Sequence, residues 1–188
     1  MATGDASRPL RADARRNRER LLGVADETFQ AEGVDASLER VARRAGVAIG
    51  TLYGHFPTRA ALAAALLRDR HDALFALGDA LPGERAERDA LAEWMRLVAA
   101  HAVSYRGLAT FLSRGAGDET SDLHADCARM AGITERLTTS ARAAGVIAPG
   151  TTADDVTAIV NAAAWTQEQS SPGQAARLLA LGVRGLSR

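Results

Sequence analysis

One group of side chains in the second half of the chain could ligate a metal ion. His124 and Cys127 are three residues apart, which places them on one face of a helix, and Asp122 or Asp126 could join them. A zinc site needs three or four ligands in a defined geometry, and the sequence shows no second cluster of ligands. A single cysteine also excludes a CxxC pair and an internal disulfide. We therefore predict no metal and no other cofactor.

The short motifs that mark common enzyme classes are absent from the sequence. It contains no GxSxG nucleophile elbow, no phosphate-binding loop and no HExxH pair. His71, His101 and His124 show no catalytic spacing, although a triad assembled in space would not depend on spacing. The sequence therefore favours a binding protein over an enzyme.

The composition indicates an all-α protein. Of the 188 residues, 41 are alanine and none is lysine, and hydrophobic residues make up 47%. Alanine is the strongest helix former, and this hydrophobic content argues against extensive disorder. No uncharged apolar run is long enough to span a membrane, and residues 1–20 lack the apolar segment of a secretory signal. We therefore expect a cytoplasmic protein with no membrane partner.

The charge is balanced overall but uneven along the chain. Lys+Arg and Asp+Glu are both 23, yet residues 1–70 contain 12 Arg against 9 acidic residues, and residues 71–188 contain 11 against 14. The excess of arginine indicates that a polyanion would bind the first part of the chain. Charged residues on solvated helix faces would give a similar imbalance. Basic residues also precede the first predicted helix and continue into it, at Arg8, Arg11, Arg15, Arg16 and Arg18.

The first part of the chain has the pattern of a helix-turn-helix. Apolar spacing and capping residues predict helices over residues 13–31, 38–44, 48–54 and 59–77. Gly33 would end the first helix, Ser37 and Thr58 would cap the second and fourth, and Gly46 would supply the positive φ of the turn. The predicted core contains Leu21, Ala25, Phe29, Leu38, Val41, Ala42, Val47, Leu52, Phe56 and Leu62.

The residues of this region resemble the DNA-binding domain of TetR-family transcriptional regulators. The resemblance lies in the stretches SLERVA (37–42), AGV (45–47), GTLYGHF (50–56) and RAAL (59–62), within about residues 13–62. It implies an all-α fold of about nine helices. A three-helix, helix-turn-helix DNA-binding domain with a basic flexible arm would occupy residues 1–57. A larger helical domain for ligand binding and dimerisation would occupy residues 58–188.

The resemblance also implies which residues contact DNA. The third helix would enter the major groove, where Thr51 and Tyr53 would contact phosphates or thymine methyl groups. His55 and Arg59 would contact phosphates, with arginine standing where the family usually has lysine. Ala48 replaces the family's usual serine or threonine, so the third helix loses its side-chain cap. The predicted contacts are Ser37, Arg43, Arg44, Ala48, Ile49, Gly50, Thr51, Tyr53, His55 and Arg59.

Two alternatives remain open for this region. Thr51 and Tyr53 could be ordinary exposed helix residues that touch no DNA. The arginines before residue 20 could reach into a minor groove, but we favour a frayed, solubilising terminus.

The second part of the chain is predicted to consist of helices around an effector pocket. The helices cover residues 85–103, about 108–112, 118–144, 152–169 and 174–186. A pocket needs apolar walls with a few polar groups. The candidates for an unknown small-molecule effector are Trp94, Met95, Val98, His101, Tyr105, Phe111, Cys127, Met130 and Trp165. The alternative is that these side chains simply fill the core.

The last two helices are the predicted dimer interface. By the resemblance, two copies would pair these helices into a four-helix bundle, and the two-fold dimer would read a palindromic operator in double-stranded DNA. The interface positions are Val156, Ile159, Val160, Ala163, Leu178, Leu179, Gly182, Val183 and Leu186. If these helices instead close a monomeric core, the homodimer prediction fails.

The sequence thus predicts a transcriptional regulator, most often a repressor in this family, which a small-molecule effector releases from its operator. The alternative is an all-helical enzyme or scaffold with a vestigial helix-turn-helix.

Overall fold

The computed structural model describes residues 7–113 and 122–186, which form nine α-helices and no β-strand. The helices are α1 (Ser7–Glu32), α2 (Leu38–Arg44), α3 (Ile49–His55), α4 (Arg59–Glu84), α5 (Glu87–Ala102), α6 (Leu108–Ser113), α7 (Asp122–Ala143), α8 (Ala153–Gln169) and α9 (Pro172–Leu186). The predicted all-α fold is therefore confirmed. Gly115 and Gly117, which separate the helices predicted over about 108–112 and 118–144, lie outside the described residues.

Local hydrogen bonds define the helix-turn-helix as the sequence predicts. The hydroxyl of Ser37 accepts a hydrogen bond from the backbone N–H of Arg40 at 3.2 Å, and Thr58 caps α4 in the same way. Ala48, at the N-cap of α3, provides no side-chain hydrogen bond. The predicted core residues are buried, except that Val47 is half-buried. The lower part of α4 closes this core, because Leu62 and Leu67 are completely buried in it.

Three prolines lie inside helices, although the helix ranges predicted from the sequence leave all three outside. Pro9 and Pro172 occupy the first turns of α1 and α9. Proline is tolerated there, since its missing N–H would have no partner within the helix. Pro82 lies in the last turn of α4, which continues to residue 84 rather than ending near residue 77. The buried Leu81 beside Pro82 holds this turn against the core. α1 likewise begins six residues earlier than predicted, and the side chains of Arg8 and Arg11 lie outside the described residues.

The loop between α1 and α2 docks on the loop between α5 and α6. Gly33 has φ +96°, as its predicted role at the end of α1 requires. The backbone N–H of Val34 donates to the carbonyl oxygen of Arg106 at 2.9 Å, and the Arg106 guanidinium donates to the carbonyl of Glu32 at 2.6 Å. A Cβ added at Gly33 would lie 2.7 Å from the Arg106 carbonyl oxygen. Glycine is therefore needed here both for its conformation and for this close approach.

We expect Gly33→Ala to destabilise the protein more than Gly46→Ala. Both glycines have positive φ, so each alanine costs about 1–2 kcal/mol in backbone strain. At Gly46 nothing lies within 4 Å of an added Cβ, whereas at Gly33 the Arg106 backbone must also shift. Urea unfolding followed by circular dichroism measures the difference. Equal losses in the two variants would show that the two loops are not tightly docked.

The second core is enclosed by the upper part of α4 and by α5, α7, α8 and α9. Its largest fully buried side chain is Trp94, whose indole N–H donates to the Thr134 hydroxyl at 2.8 Å. Gly78 of α4 allows α4 to approach this ring, because an added Cβ would lie 2.5 Å from Cζ3 of Trp94. Within the described residues, no helix combines the length and apolar character needed to cross a bilayer.

α8 and α9 pack on each other and on this core, which divides the predicted interface positions into two groups. Val156, Val160, Ala163 and Leu179 are buried in this chain's own core, so they are not available to a second copy in this conformation. The other predicted positions are half-buried: Ile159, Leu178, Gly182, Val183 and Leu186. The large apolar side chains that these helices expose are Trp165 and Leu181. Both faces of each helix contain apolar residues, so spacing alone does not separate the two groups, and the dimer interface stays a prediction.

Candidate DNA-binding surface and internal cavity

α3 presents one face to the core and the other to the outside. Leu52 is completely buried and fixes the rotation of the helix, while Tyr53 is 44% exposed. Thr51 and Ile49 are half-buried, and Ala48 beside them is exposed. The hydroxyls of Thr51 and Tyr53 are therefore available to a partner that lies along α3.

Two glycines on α3 have no role in the packing of this chain. Gly50 and Gly54 are one turn apart and exposed, and a Cβ added at either would meet nothing within 4 Å. Neither has positive φ. Each glycine lowers the stability of the helix by about 1 kcal/mol relative to alanine. The two glycines therefore do not contribute to the stability of the fold. The bare backbone at these positions leaves room for another molecule to approach α3 closely.

The two arginines at the end of α2 differ in their surroundings. Arg44 donates to the Thr28 hydroxyl at 2.8 Å and pairs with Glu27 at 2.9 Å, so its guanidinium is held against α1. Arg43 is exposed, and its guanidinium has no hydrogen-bonding or ionic partner in the part of the chain that the structure describes. Arg43 is therefore the freer of the two cations beside α3.

The structure gives Arg59 a role within the chain that the sequence did not suggest. Its Nη1 donates to the carbonyl oxygens of Val34 and Ala36, both at 2.6 Å, and so ties the start of α4 to the α1–α2 loop. The phosphate contact predicted for Arg59 would compete with these bonds, and it stays a prediction. His55 is half-buried next to Phe56, with ring centroids 6.3 Å apart.

A cavity of about 150 Å³ lies between α5, α6, α7 and α8. Five of the predicted pocket residues line it: Trp94, Val98, His101, Cys127 and Met130. Nine residues outside the predicted set complete the wall: Ala102, Ala109, Leu112, Ala131, Thr134, Val156, Thr157, Val160 and Asn161. Ala131 and Thr134 lie one turn after Cys127 and Met130, so helical spacing alone could have found them.

Four predicted pocket residues lie elsewhere. Met95 is completely buried in the second core, and Phe111 packs against the first core. Tyr105 is buried beside α1, where its hydroxyl donates to Asp26 at 2.6 Å and its ring meets Phe29 edge-on. Burial and the Asp26 carboxylate raise the pKa of this phenol. Trp165 is 59% exposed. All four have residue types suited to a pocket, but Met95, Phe111 and Trp165 lie on faces of their helices that point away from the cavity. Tyr105 lies in the α5–α6 loop and packs on α1 instead.

A chain of three side chains connects the cavity to the outside of α7. Nε2 of His101 lies 3.1 Å from Nε2 of His71 on α4, and Nδ1 of His71 lies 2.6 Å from Asp126 on α7. Burial, with a contribution from the His71 and Arg70 charges, lowers the pKa of His101 to about 4. Burial also raises the pKa of the Cys127 thiol. The cavity is thus lined by neutral groups at neutral pH.

The α5–α6 loop joins the cavity wall to the helix-turn-helix. It follows His101 and Ala102 of the wall and contacts α1 through Tyr105 and Arg106. Its far end is held to α8, because the backbone N–H of Gly107 donates to Glu168 at 2.8 Å. In the described part of the chain, no three His, Cys, Asp or Glu side chains are arranged to hold a metal ion.

Both parts of the chain match families of transcriptional regulators. Residues 21–66 match the family described as bacterial regulatory proteins, tetR family. Residues 86–188 match the SbtR-like C-terminal domain of transcriptional regulators. Over 69 residues the chain is 39% identical to TtgW, an uncharacterized HTH-type transcriptional regulator of Pseudomonas putida, and this match covers 36% of the chain. The match covers 52% of TtgW, and a match of the same length covers 32% of SrpR, a second regulator from that species.

Solved structures are similar over nearly the whole chain. The TetR regulator SCO0520 of Streptomyces coelicolor is 33% identical, with a TM-score of 0.60, and the match covers 90% of this chain and 98% of that one. A TetR regulator of Mycobacterium vanbaalenii is 30% identical, with a TM-score of 0.52 and coverage of 96% and 100%. The likeness therefore includes both the helix-turn-helix and the helical domain that contains the cavity.

Proposed function

Because this chain belongs to the TetR family of DNA-binding transcriptional regulators, we propose that it is a repressor that a small molecule releases from a palindromic operator. The observation that carries the DNA-binding part is the outer face of α3. There the exposed Gly50 and Gly54 leave the backbone open, and Thr51 and Tyr53 supply hydroxyls between them. A major groove admits a helix of this kind. The family is one of bacterial regulatory proteins, and in bacteria a regulator of chromosomal genes would act in the cytoplasm.

The proposed dimer pairs α8 and α9 of two copies. In support, these helices expose Trp165 and Leu181 by 59% and 57%, although large apolar side chains are usually covered. The half-buried Ile159 and Val183 would extend the contact. A two-fold dimer presents two copies of α3 and so matches a palindrome with one half-site for each subunit.

The proposed effector site is the cavity, and the α5–α6 loop supports a connection to DNA binding. The loop begins at the cavity wall and is hydrogen-bonded to the end of α1. A ligand shifts the DNA-binding equilibrium only if it binds one conformation better than the other. We expect the ligand to favour a position of this loop that places the two α3 helices at the wrong spacing for the operator.

Selection from genomic DNA tests this function. The purified protein is incubated with genomic fragments at two salt concentrations, and retained fragments are sequenced beside those retained by a Thr51→Ala/Tyr53→Ala variant. We expect the wild type to enrich a palindromic motif, with weaker retention at high salt because phosphate contacts release counterions. Equal enrichment by the variant, or no enriched motif, would contradict the proposal and favour a scaffold with a vestigial helix-turn-helix.

A further inference from the structure

The cavity contains one buried imidazole among mainly apolar walls. His101 is only 7% exposed, and its Nε2 is occupied by the contact with His71. Its Nδ1 has no hydrogen-bond partner within the described residues. Thr138 Oγ1 is the one fully enclosed side-chain nitrogen or oxygen without a partner in that part of the chain. Nδ1 of His101 is therefore not sealed off by protein, and a molecule in the cavity could reach it.

The hydrogen bonds around His101 determine what Nδ1 offers. A neutral imidazole has one proton on its two nitrogens. With the proton on Nε2, His101 donates to His71 and Nδ1 accepts. With the proton on Nδ1, Nε2 accepts from His71 and Nδ1 donates. In both tautomers Nδ1 can form one more hydrogen bond. A hydroxyl group can pair with Nδ1 in either tautomer, because it both donates and accepts hydrogen bonds.

The neutrality of His101 selects against an anionic ligand. Its pKa of about 4 reflects burial and the nearby His71 and Arg70, so the ring is uncharged at neutral pH. A carboxylate in the cavity would lose its hydration and meet a neutral imidazole, which compensates poorly for a buried charge. A neutral ligand avoids this cost.

Two of the other polar side chains at the wall are satisfied within the protein. The indole N–H of Trp94 donates to Thr134, and the Thr134 hydroxyl donates to the carbonyl of Met130 at 2.9 Å. The Cys127 thiol is kept neutral by burial and is a weak hydrogen-bonding group. The remaining polar side chains at the wall are those of Asn161, half-buried on α8, and Thr157, exposed on the same helix. The wall therefore offers a ligand few polar contacts besides that of His101.

The volume sets the size of the part of a ligand that the cavity can enclose. An apolar cavity of about 150 Å³ accommodates benzene in a well-studied case, so this cavity has room for about one six-membered ring.

We propose that the cavity takes a neutral, mainly apolar molecule of about one ring that carries one hydroxyl group, and that His101 Nδ1 hydrogen-bonds this hydroxyl. Phenols and small cyclic alcohols belong to this class. The inference rests on the proposed role of the cavity as the effector site, since it names the chemistry of the effector.

Three small probes test the ligand class on the full chain without DNA. p-Cresol, p-xylene and benzoate are titrated by calorimetry; the first two differ only by a hydroxyl in place of a methyl group. We expect p-cresol to bind roughly tenfold more tightly than p-xylene, the effect of one ordinary hydrogen bond. Equal affinity for the two, tighter binding of benzoate, or no binding of any probe would overturn the inference.

Two further measurements assign the effect to His101. In a His101→Phe variant, we expect the preference for p-cresol over p-xylene to disappear. If this variant does not fold, the ¹⁵N resonances of the histidines in the wild-type protein test the same contact. We expect p-cresol to change the chemical shift of Nδ1 of His101, and p-xylene to leave it unchanged. An unshifted Nδ1 would overturn the assignment.

Operator affinity measured with and without p-cresol separates this inference from the proposed function. If p-cresol binds preferentially but does not change the affinity for the operator, the proposed ligand class is supported and the role of the cavity as an effector site is contradicted. If the protein binds the operator but binds p-cresol and p-xylene with equal affinity, the proposed regulator function is supported and the proposed ligand class is overturned.

Discussion

A Thr51→Ala/Tyr53→Ala variant is expected to bind the selected operator at least 10²-fold more weakly than the wild type. Each contact of a recognition helix contributes about 1–3 kcal/mol, and every 1.4 kcal/mol is a factor of ten in affinity. The fold should be unaffected, because the buried Leu52 anchors α3 and Tyr53 is largely outside the core. Fluorescence anisotropy with a labelled operator measures the affinity, and circular dichroism checks the helix content.

Tyr53→Phe is the matched control for this experiment. It retains the ring and removes only the hydroxyl, so a contact through phosphate should be lost while apolar contact with a thymine methyl remains. We expect a smaller loss than in the double variant. A double variant that folds normally and binds the operator as tightly as the wild type would show that α3 does not read the DNA.

The largest expected effect on stability is that of Trp94→Ala, with a loss of about 3–5 kcal/mol in the free energy of unfolding. The ring is 1% exposed and lies against Gly78 of α4, so its removal leaves a space that the helices cannot easily fill. The Thr134 hydroxyl retains its bond to the Met130 carbonyl, so the loss reflects packing more than hydrogen bonding. Urea denaturation measures this loss.

Leu77→Ala on the exposed side of α4 is the control for this prediction. Leu77 is 51% exposed, and its truncation should change the free energy of unfolding by no more than about 0.5 kcal/mol. Similar stabilities for Trp94→Ala and Leu77→Ala would contradict the placement of Trp94 in the second core.

The helix-turn-helix was predictable because its determinants are local. Ser37, Thr58, Gly33 and Gly46 act on backbone groups within a few residues of themselves, so their identity and spacing are sufficient. The role of Arg59 was not predictable, since its hydrogen bonds reach the α1–α2 loop more than twenty residues earlier in the chain. Only the tertiary arrangement brings these groups together.

The lining of the cavity and the proposed dimer surface depend on how the helices are rotated, which spacing alone does not determine. Trp94 and Met95 are neighbours in an apolar stripe, yet Trp94 lines the cavity and Met95 is enclosed by the core. Likewise, Val160 lies in the core and Trp165 is exposed on the same helix. A cavity is the space that packed side chains leave empty, so a sequence can indicate its residue types better than its exact lining.

Methylation protection on the selected operator tests the central claim, that α3 of each subunit reads the major groove. Dimethyl sulfate modifies guanine N7, which lies in the major groove. We expect protection of guanines in two symmetric half-sites about one helical turn, or a multiple of it, apart, and loss of this protection in the Thr51→Ala/Tyr53→Ala variant. Unprotected guanines, or protection that the variant retains, would contradict this account.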